Sequence, residues 1–66
     1  MLYYQVVTKF YDNGAIDVSH IKVFEGDKMP ENSKAECAVC DVYYDYFNRF
    51  WQAETFRNEA LREAGR

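Results

Sequence analysis

The sequence lacks the long apolar segments by which membrane proteins and secreted precursors are recognised. Its 66 residues contain no apolar run near the ~20 residues that a bilayer-spanning helix needs. The amino-terminal stretch MLYYQVVTKFYD has neither the basic region nor the continuous apolar region of a secretory signal. We therefore expect the protein to remain in the cytoplasm of the cell that makes it.

Cysteine and histidine are scarce, which weighs against a metal centre. Cys37 and Cys40 form a single CxxC pair, and His20 is the sole histidine. A structural zinc site would need a second cysteine pair or further histidines. A thioredoxin-like pair would need a βαβ frame, which the sequence does not predict. We expect no cofactor, and we interpret both cysteines as ordinary small side chains at the start of a strand, in a reducing compartment.

The sequence contains no arrangement of residues that predicts an enzyme. Its three glycines do not form a phosphate-binding loop. Ser19 and His20 are neighbours on a predicted strand, so their side chains point to opposite faces and do not form a nucleophile and base pair. Asp41 and Asp45 share a strand face but lie about 13 Å apart, too far for paired-carboxylate chemistry. We therefore predict no catalytic residue.

Aromatic residues, by contrast, are abundant. Six tyrosines, five phenylalanines and one tryptophan make up 18% of the chain. A chain of this length is near the lower limit at which one hydrophobic core supports a fold, and each aromatic side chain buries a large area. We predict that residues 1–66 form a single small domain that depends on these side chains.

Two predicted strands form a hairpin at the amino terminus. Residues 2–11 alternate between two faces and are rich in β-branched and aromatic types, which is typical of a strand. A turn signal, DNG, follows at residues 12–14, and residues 15–24 return as the second strand. The apolar positions of the second strand change parity midway, which a β-bulge near Ser19 and His20 would accommodate. The alternatives are a strand buried on both faces and a strand that twists off the sheet at its end.

The remainder of the chain predicts one more strand and one helix. Residues 25–36 are a polar connection, and residues 38–47 alternate as a third strand. Residues 48–65 form an amphipathic helix, with Asn48 as the N-cap and Gly65 in a left-handed backbone beyond its end. The predicted fold is α+β, a small antiparallel three-stranded sheet (a β-hairpin plus a third strand) packed on one C-terminal helix.

Trp51 does not fit the pattern of this helix. It lies roughly opposite Ala53 on the helical wheel, away from the predicted core. If the helix begins a residue or two later, Trp51 tucks beneath the preceding loop. Otherwise it is exposed on a rigid helix and is a candidate binding hot spot.

The predicted sheet has a second aromatic face that the helix leaves uncovered. Tyr3, Val7 and Tyr11 alternate with the residues of the same strand that face the helix. Isologous pairing of two copies is the commonest way to cover such a face. We therefore expect a homodimer that forms through these three residues.

Acidic residues are concentrated in the middle of the chain. The net charge is −3 overall, but residues 25–45 carry six acidic residues against two lysines. This distribution disfavours direct binding of nucleic acid and favours a basic protein partner, such as a nucleic-acid-binding protein. The predicted partner-binding residues are Glu25, Asp27, Glu31, Glu36, Asp41, Tyr43, Asp45 and Trp51.

Three segments, YYQVVTKFYDNGAI, KMPENS and CDVYYDYF followed by the helix, cover most of the chain. Together they resemble short, uncharacterised proteins encoded on phages, prophages and conjugative elements of Firmicutes. The resemblance implies a ββ(β)α domain, a bacterial cytoplasm and an accessory role, and it brings no catalytic residue with it. Anti-CRISPR and other host-takeover proteins share this size and acidity.

The sequence thus favours a non-enzymatic protein-interaction module. The sharper hypothesis is an inhibitor of a host nucleic-acid-handling enzyme, which would present acidic groups to a basic channel. Two alternatives stay open. One is a redox or zinc-binding module that uses Cys37 and Cys40, including a zinc ion shared by two chains, and the other is a structural homodimer.

Overall fold

The computed structural model describes residues 1–65 and has an α+β fold, an antiparallel sheet of five strands with one carboxy-terminal helix. The prediction of three strands is wrong in number, because the second strand is divided in two and a short strand forms within the polar connection. The elements in chain order are β1 Leu2–Tyr11, β2 Ile16–Val18, β3 Lys22–Glu25, β4 Ser33–Glu36, β5 Cys40–Phe47 and α1 Phe50–Ala64.

β1 is the central strand, and its predicted bounds are confirmed. On one side it pairs with β5 along its length, beginning with Tyr4 opposite Phe47. On the other side it pairs with β2 and β3 in succession, while β4 lies beyond β5 at the sheet edge. The predicted turn joins β1 to β2, and Gly14 at its tip adopts a φ of 90° that a residue without Cβ tolerates.

A β-bulge separates β2 from β3, which is the first of the arrangements that the change of parity allows. β2 pairs with β1 up to Val18 and β3 begins at Lys22, so residues 19–21 face only two residues of β1. The Ser19 N–H donates to the Val7 carbonyl oxygen at 2.9 Å, and the Val7 N–H donates to Ser19 Oγ, also at 2.9 Å. The Ser19 hydroxyl therefore accepts the hydrogen bond from Val7 that a backbone carbonyl would accept in a regular ladder.

β4 lies within residues 25–36, where the sequence predicts only a polar connection. Its four residues are all exposed and include no large apolar side chain, so the sequence shows no alternation there. Pairing with β5 imposes the strand instead. A two-residue loop closes the hairpin, and the Cys37 N–H donates to the Cys40 carbonyl oxygen at 2.9 Å. At the other end of β4, Asn32 Oδ1 accepts a hydrogen bond of 2.8 Å from the Tyr46 N–H.

The helix is present as predicted, but two predictions about its ends are wrong. Arg49 rather than Asn48 is the N-cap, and no side chain caps the first turn. Gly65 has a φ of −84°, so it does not adopt the left-handed backbone. Its N–H donates to the Leu61 carbonyl oxygen at 3.0 Å, which continues the helical pattern. Within residues 1–65, no helix has the length and the apolar character needed to cross a membrane.

The helix packs on the sheet face to which the even-numbered side chains of β1 point. Val6 in β1 and Ala53 in α1 are both fully buried, and the rings of Tyr4 and Phe50 meet edge to face at 5.6 Å between centroids. α1 contacts β1, β2 and β5 but, among the described residues, neither β3 nor β4. The core beneath the helix is therefore a narrow strip. On the opposite sheet face Cys40 and Val42 are buried, but the helix covers neither that face nor the β4 edge.

Candidate functional site

A cleft opens on the helix face, between the carboxy-terminal half of α1 and the sheet. It encloses about 760 Å³, and we call it the helix–sheet cleft. Beyond Phe56, the helix turns the short side chains of Ala60 and Ala64 towards the interior, where both are half-buried. These side chains are too small to fill the space above the sheet. The cleft is lined by Thr8, Phe10, Ile16, Asp41, Tyr43, Asp45, Phe56, Glu59, Ala60, Arg62 and Glu63.

The register between β1 and β5 places the acidic residues of β5 in this cleft. Asp45 lies opposite Val6, and Asp41 lies opposite Phe10, with Tyr43 between the two aspartates along the strand. Directly opposed residues of an antiparallel pair point to the same face. The odd-numbered residues of β5 therefore face the helix together with the even-numbered residues of β1.

Asp45 is the carboxylate that the fold removes most clearly from water. Burial raises the pKa of Asp45 above its ordinary value of 3.8, and no cation among the described residues contributes an opposing effect. A carboxylate in this position is stabilised by any positive charge that enters the cleft.

Thr8 contributes a buried polar group to the cleft. Its side chain is 3% exposed, and within residues 1–65 its Oγ1 has no hydrogen-bond partner. A buried hydroxyl without a partner costs about 1–3 kcal/mol. Thr8 lies opposite Tyr43, so Asp45 is its diagonal neighbour on the same face, about 7–8 Å away between Cα atoms. The cleft therefore combines a partly desolvated carboxylate with a buried hydroxyl that has no hydrogen-bond partner among the described residues.

Lys34 shows how the β4 side of the cleft interacts with a cation. Its Nζ lies 5.5 Å from the centroid of the Tyr43 ring and 3.7 Å from Glu36 Oε1. The charge of Asp41, followed by that of Tyr43, raises the pKa of Lys34 above its ordinary value. An ammonium group is thus held between an aromatic face and carboxylates at the rim of the site.

The predicted partner-binding residues lie in separate parts of the structure. Asp41, Tyr43 and Asp45 line the helix–sheet cleft, and Glu36 adjoins them because it pairs with Asp41 in the β4–β5 hairpin. Glu25 lies opposite Leu2 at the other end of β1, four residues along the strand from the Val6–Asp45 pair, which is about 13 Å at the rise of a strand.

Asp27 and Glu31 are exposed in the connection that precedes β4. The acidic segment is therefore not one continuous surface. The predicted set also missed Thr8, which the alternation of β1 marks only as a core position, and Glu59, which the sequence assigns to the polar side of the helix.

Trp51 is 63% exposed, so the alternative in which it tucks beneath the preceding loop is wrong. Its side chain borders a shallow depression of about 410 Å³ that also includes Phe56 and Glu59. Since those two residues line the helix–sheet cleft as well, the two hollows adjoin. Trp51 therefore remains a candidate anchor at the edge of the cleft.

Cys37 and Cys40 are joined by a disulfide, with 5.3 Å between their Cα atoms. The prediction of ordinary, unpaired side chains is therefore wrong in this structure. The bond spans the two-residue loop of the β4–β5 hairpin, with Cys37 exposed and Cys40 7% exposed. Within the described residues, no group of three or more histidine, cysteine or acidic side chains is arranged to hold a metal ion.

The opposite side of the sheet carries the aromatic residues that the helix does not cover. We call this surface the tyrosine face, and it consists of the odd-numbered residues of β1 and the residues that pair with them. Its aromatic and central apolar members are Tyr3, Val7, Tyr11, Phe24, Val42, Tyr44 and Tyr46.

The rings of the tyrosine face contact one another. Tyr3 stacks on Phe24 at 5.5 Å between centroids and meets Tyr46 edge to face at 6.1 Å. Gln5 Nε2 donates a hydrogen bond of 3.1 Å to the Tyr46 hydroxyl. The predicted position of Tyr3, Val7 and Tyr11 opposite the helix is confirmed, while the dimer that they are expected to form stays a prediction.

In comparisons with known proteins, no family model, no curated protein and no solved structure matches this chain. The resemblance to proteins of phages and conjugative elements therefore stays a prediction.

Proposed function

We propose that the protein is a non-enzymatic binding module whose helix–sheet cleft takes a cationic side chain from a basic segment of a partner protein. The observation that carries this proposal is that the cleft holds the half-buried carboxylate of Asp45 beside the buried hydroxyl of Thr8, which has no hydrogen-bond partner within residues 1–65. An arginine or lysine side chain brings N–H donors and a positive charge, which would satisfy both groups at once.

The remaining lining also favours a cation. Among the described residues of the lining, Asp41, Asp45 and Glu59 supply carboxylates beside the guanidinium of Arg62. Tyr43 and Phe56 supply aromatic rings on which the apolar stem or the charged head of a basic side chain can lie. The position of Lys34 above Tyr43 shows the same preference within the chain itself.

The proposal extends to inhibition of a nucleic-acid-handling enzyme in a bacterial cytoplasm. A basic channel that binds nucleic acid offers closely spaced arginine and lysine side chains, and an acidic domain with a cation-binding cleft is complementary to it. The exposed Trp51 beside the cleft supports this extension, because a large aromatic side chain next to charged contacts is a common anchor of protein interfaces.

Peptide binding tests the cleft directly. The probe is a fluorescein-labelled peptide with three arginines, and its counterpart contains citrulline, which keeps the shape but not the charge. We expect the arginine peptide alone to bind, and Asp45→Asn to weaken it by about tenfold, the loss of one charged hydrogen bond. Glu25→Gln is the matched control, because it removes the same charge from a residue that lies four positions further along the sheet than Asp45, about 13 Å at the rise of a strand.

The outcomes of this experiment separate two interpretations. If Asp45→Asn and Glu25→Gln weaken binding equally, the acidic segment attracts the peptide through its overall charge and not through a specific site in the cleft. Unchanged affinity in the Asp45→Asn variant would overturn the proposed site.

The inhibitor hypothesis needs a further experiment. Enzymes retained from a bacterial lysate by the immobilised protein should be released by added single-stranded DNA or RNA, because both ligands would compete for one channel. An immobilised Asp45→Asn variant should retain less of the same enzymes. Retention that nucleic acid does not reverse would contradict inhibition through the channel.

A redox module is the second candidate, and the exposed position of Cys37 favours it. An external thiolate can attack Cys37 Sγ, form a mixed disulfide with it and release Cys40 as a thiolate. Glu36 and Asp41 flank the pair and disfavour thiolates, which makes this candidate the weaker one. Incubation of the Cys40→Ser variant with oxidised glutathione tests the exchange at Cys37, because the Cys37 thiolate would attack the glutathione disulfide, form a mixed disulfide and release one glutathione thiolate. A Cys37 adduct supports exchange, and its absence contradicts it. A zinc site would require both thiols to be reduced first.

A further inference from the structure

We propose that the tyrosine face is the interface of a homodimer in which two copies stack sheet against sheet. This inference is independent of the helix–sheet cleft, which lies on the other side of the sheet. It rests on the separation of charge between the two faces, on the size of the uncovered face and on the small core of a single copy.

The registers of the sheet exclude most acidic strand residues from the tyrosine face. Glu25 lies opposite Leu2, and Glu36 lies opposite Asp41, so these acids share the helix face with Asp45. The acidic middle segment, which argues against self-association when the sequence is considered as a whole, therefore leaves the aromatic face almost free of negative charge.

Three charged side chains of the strands do lie on the tyrosine face. Lys9 is paired with Asp17, and Lys22 is paired with the neutral Gln5. Within each copy, the positive charge of Lys9 is thus offset by Asp17, while that of Lys22 is not offset. Two identical faces of this composition can approach with little net repulsion, and the second lysine lies on β3, at a sheet edge where water stays accessible.

The outline of the molecule's broad side, to which the tyrosine face belongs, is large enough to hold a stable interface. The molecule measures 38 × 24 × 13 Å along its principal axes, so its broad face covers roughly 900 Å², against about 800 Å² per partner in an interface of standard size. Two such faces can pack about 10 Å apart, as in a β-sandwich, with the tyrosine hydroxyls at the margin or bonded across the interface.

A single copy also buries little of its apolar surface. Its accessible surface is 4854 Å², whereas a compact monomer of 7.8 kDa exposes about 4,400 Å². Among the described residues, the hydrophobic core consists of Val6, Cys40, Val42 and Ala53. Domains with so small a core are commonly stabilised by association, and a second copy supplies the missing layer.

A second copy fits this face better than single-stranded nucleic acid does. Base-stacking platforms combine exposed aromatic rings with a basic groove along which the backbone runs. This face offers two lysines against one aspartate in a chain whose net charge is −3. Aromatic self-pairing needs no such groove.

Sedimentation equilibrium tests the dimer with two matched variants. We expect a wild-type mass twice the 7.8 kDa of one chain. Val7→Lys places a charge at the centre of the tyrosine face and should weaken the dimer at least tenfold. Val23→Lys makes the same substitution on the helix face, where Val23 is 58% exposed, and should leave the mass unchanged.

Far-UV circular dichroism shows whether each variant is folded. If Val7→Lys does not fold, Tyr44→Gln removes a ring from the same face and should weaken the dimer in its place. A wild-type monomer at 500 µM (roughly the ceiling for a useful homodimer affinity) overturns the proposal, whether or not it binds single-stranded DNA. A Val7→Lys or Tyr44→Gln variant that folds and dimerises like the wild type also overturns it. Folded monomeric Val7→Lys that still binds the arginine peptide would show that the two faces act separately.

Discussion

The Nε of Arg57 donates a hydrogen bond of 2.8 Å to the backbone carbonyl oxygen of Ser19. This contact joins the middle of α1 to the β-bulge between β2 and β3. The bulge turns a carbonyl group out of the β1 ladder, and the guanidinium supplies the donor that it lacks. Because the contact draws the helix towards the β2 side of the sheet, it helps to set the width of the helix–sheet cleft.

Loss of the Arg57 contact should therefore destabilise the fold. We expect Arg57→Met, which keeps the apolar stem but removes the donor, to lower the free energy of unfolding by about 1–3 kcal/mol, the cost of an unsatisfied part-buried carbonyl. Urea denaturation measures this change. Arg62→Met is the control because Arg62 is exposed on the same helix, and it should change stability by less than about 0.5 kcal/mol. Equal changes in the free energy of unfolding for the two variants would show that the hydrogen bond to Ser19 does not contribute specifically to stability.

Substitution of Thr8 should affect stability and peptide binding in opposite directions. Thr8→Val replaces a buried hydroxyl that has no described partner by a methyl group of similar size. We expect the free energy of unfolding to stay the same or to rise by about 1 kcal/mol, because an unsatisfied group is removed. Affinity for the arginine peptide should fall at the same time. Urea denaturation and fluorescence anisotropy measure the two effects, and a clear loss of stability would indicate that the hydroxyl is satisfied by water.

Several features of the fold follow from the residues alone. The alternation along residues 2–11 predicts β1 and its two faces, and the change of parity around Ser19 indicates an irregularity where the bulge lies, because both depend only on the two-residue period of a strand. β4 has no such pattern. Its sequence SKAE would suit a loop, and it becomes a strand because the hairpin at residues 37–40 lays it beside β5.

The candidate site is less accessible to prediction than the fold. The acids of β5 are visible in the sequence, but their separation from Glu25 depends on the final register. The cleft itself depends on where the helix lies across the sheet, which the bond between Arg57 and Ser19 helps to determine over 38 positions of sequence. No local periodicity contains that information.

The pKa of Asp45, which burial raises above 3.8, makes stability depend on pH. Between the ordinary and the raised pKa, the folded protein binds more protons than the unfolded chain, so the Asp45 contribution falls as the pH rises through that window. Asp45→Asn should therefore stabilise the fold at pH 7, and the difference should vanish below pH 3.8. Urea denaturation at several pH values measures it, and a difference between the two proteins that stays constant with pH would contradict this prediction.

The same protonation should control ligand binding. As the pH falls through the raised pKa of Asp45, the cleft loses a negative charge, so affinity for the arginine peptide should decrease. The Asp45→Asn variant should lack this step. A wild-type pH profile that parallels that of the variant would show that Asp45 does not contact the ligand.

The disulfide between Cys37 and Cys40 should contribute modestly to stability. It closes a loop of only four residues, for which the loss of chain entropy in the unfolded state corresponds to about 2 kcal/mol. Reduction should lower the free energy of unfolding by that amount or less. The loss should be concentrated in β4, because the bond lies at the turn that holds this edge strand against β5.

Hydrogen exchange in the presence and absence of dithiothreitol measures this local effect. We expect the amides of Ala35 and Tyr44, which belong to the β4–β5 ladder, to exchange faster after reduction. The amide of Val6 in the central strand should change little. The Cys37→Ser, Cys40→Ser double variant is the control, because it should resemble the reduced protein and show no response to dithiothreitol. A uniform acceleration that includes Val6 would contradict a local role.

The redox state of the pair in the cell is a separate question. In a reducing cytoplasm Cys37 and Cys40 should be found as thiols. Trapping the thiols with an alkylating reagent at lysis would show whether the disulfide on the β4 side of the cleft is present in the cell.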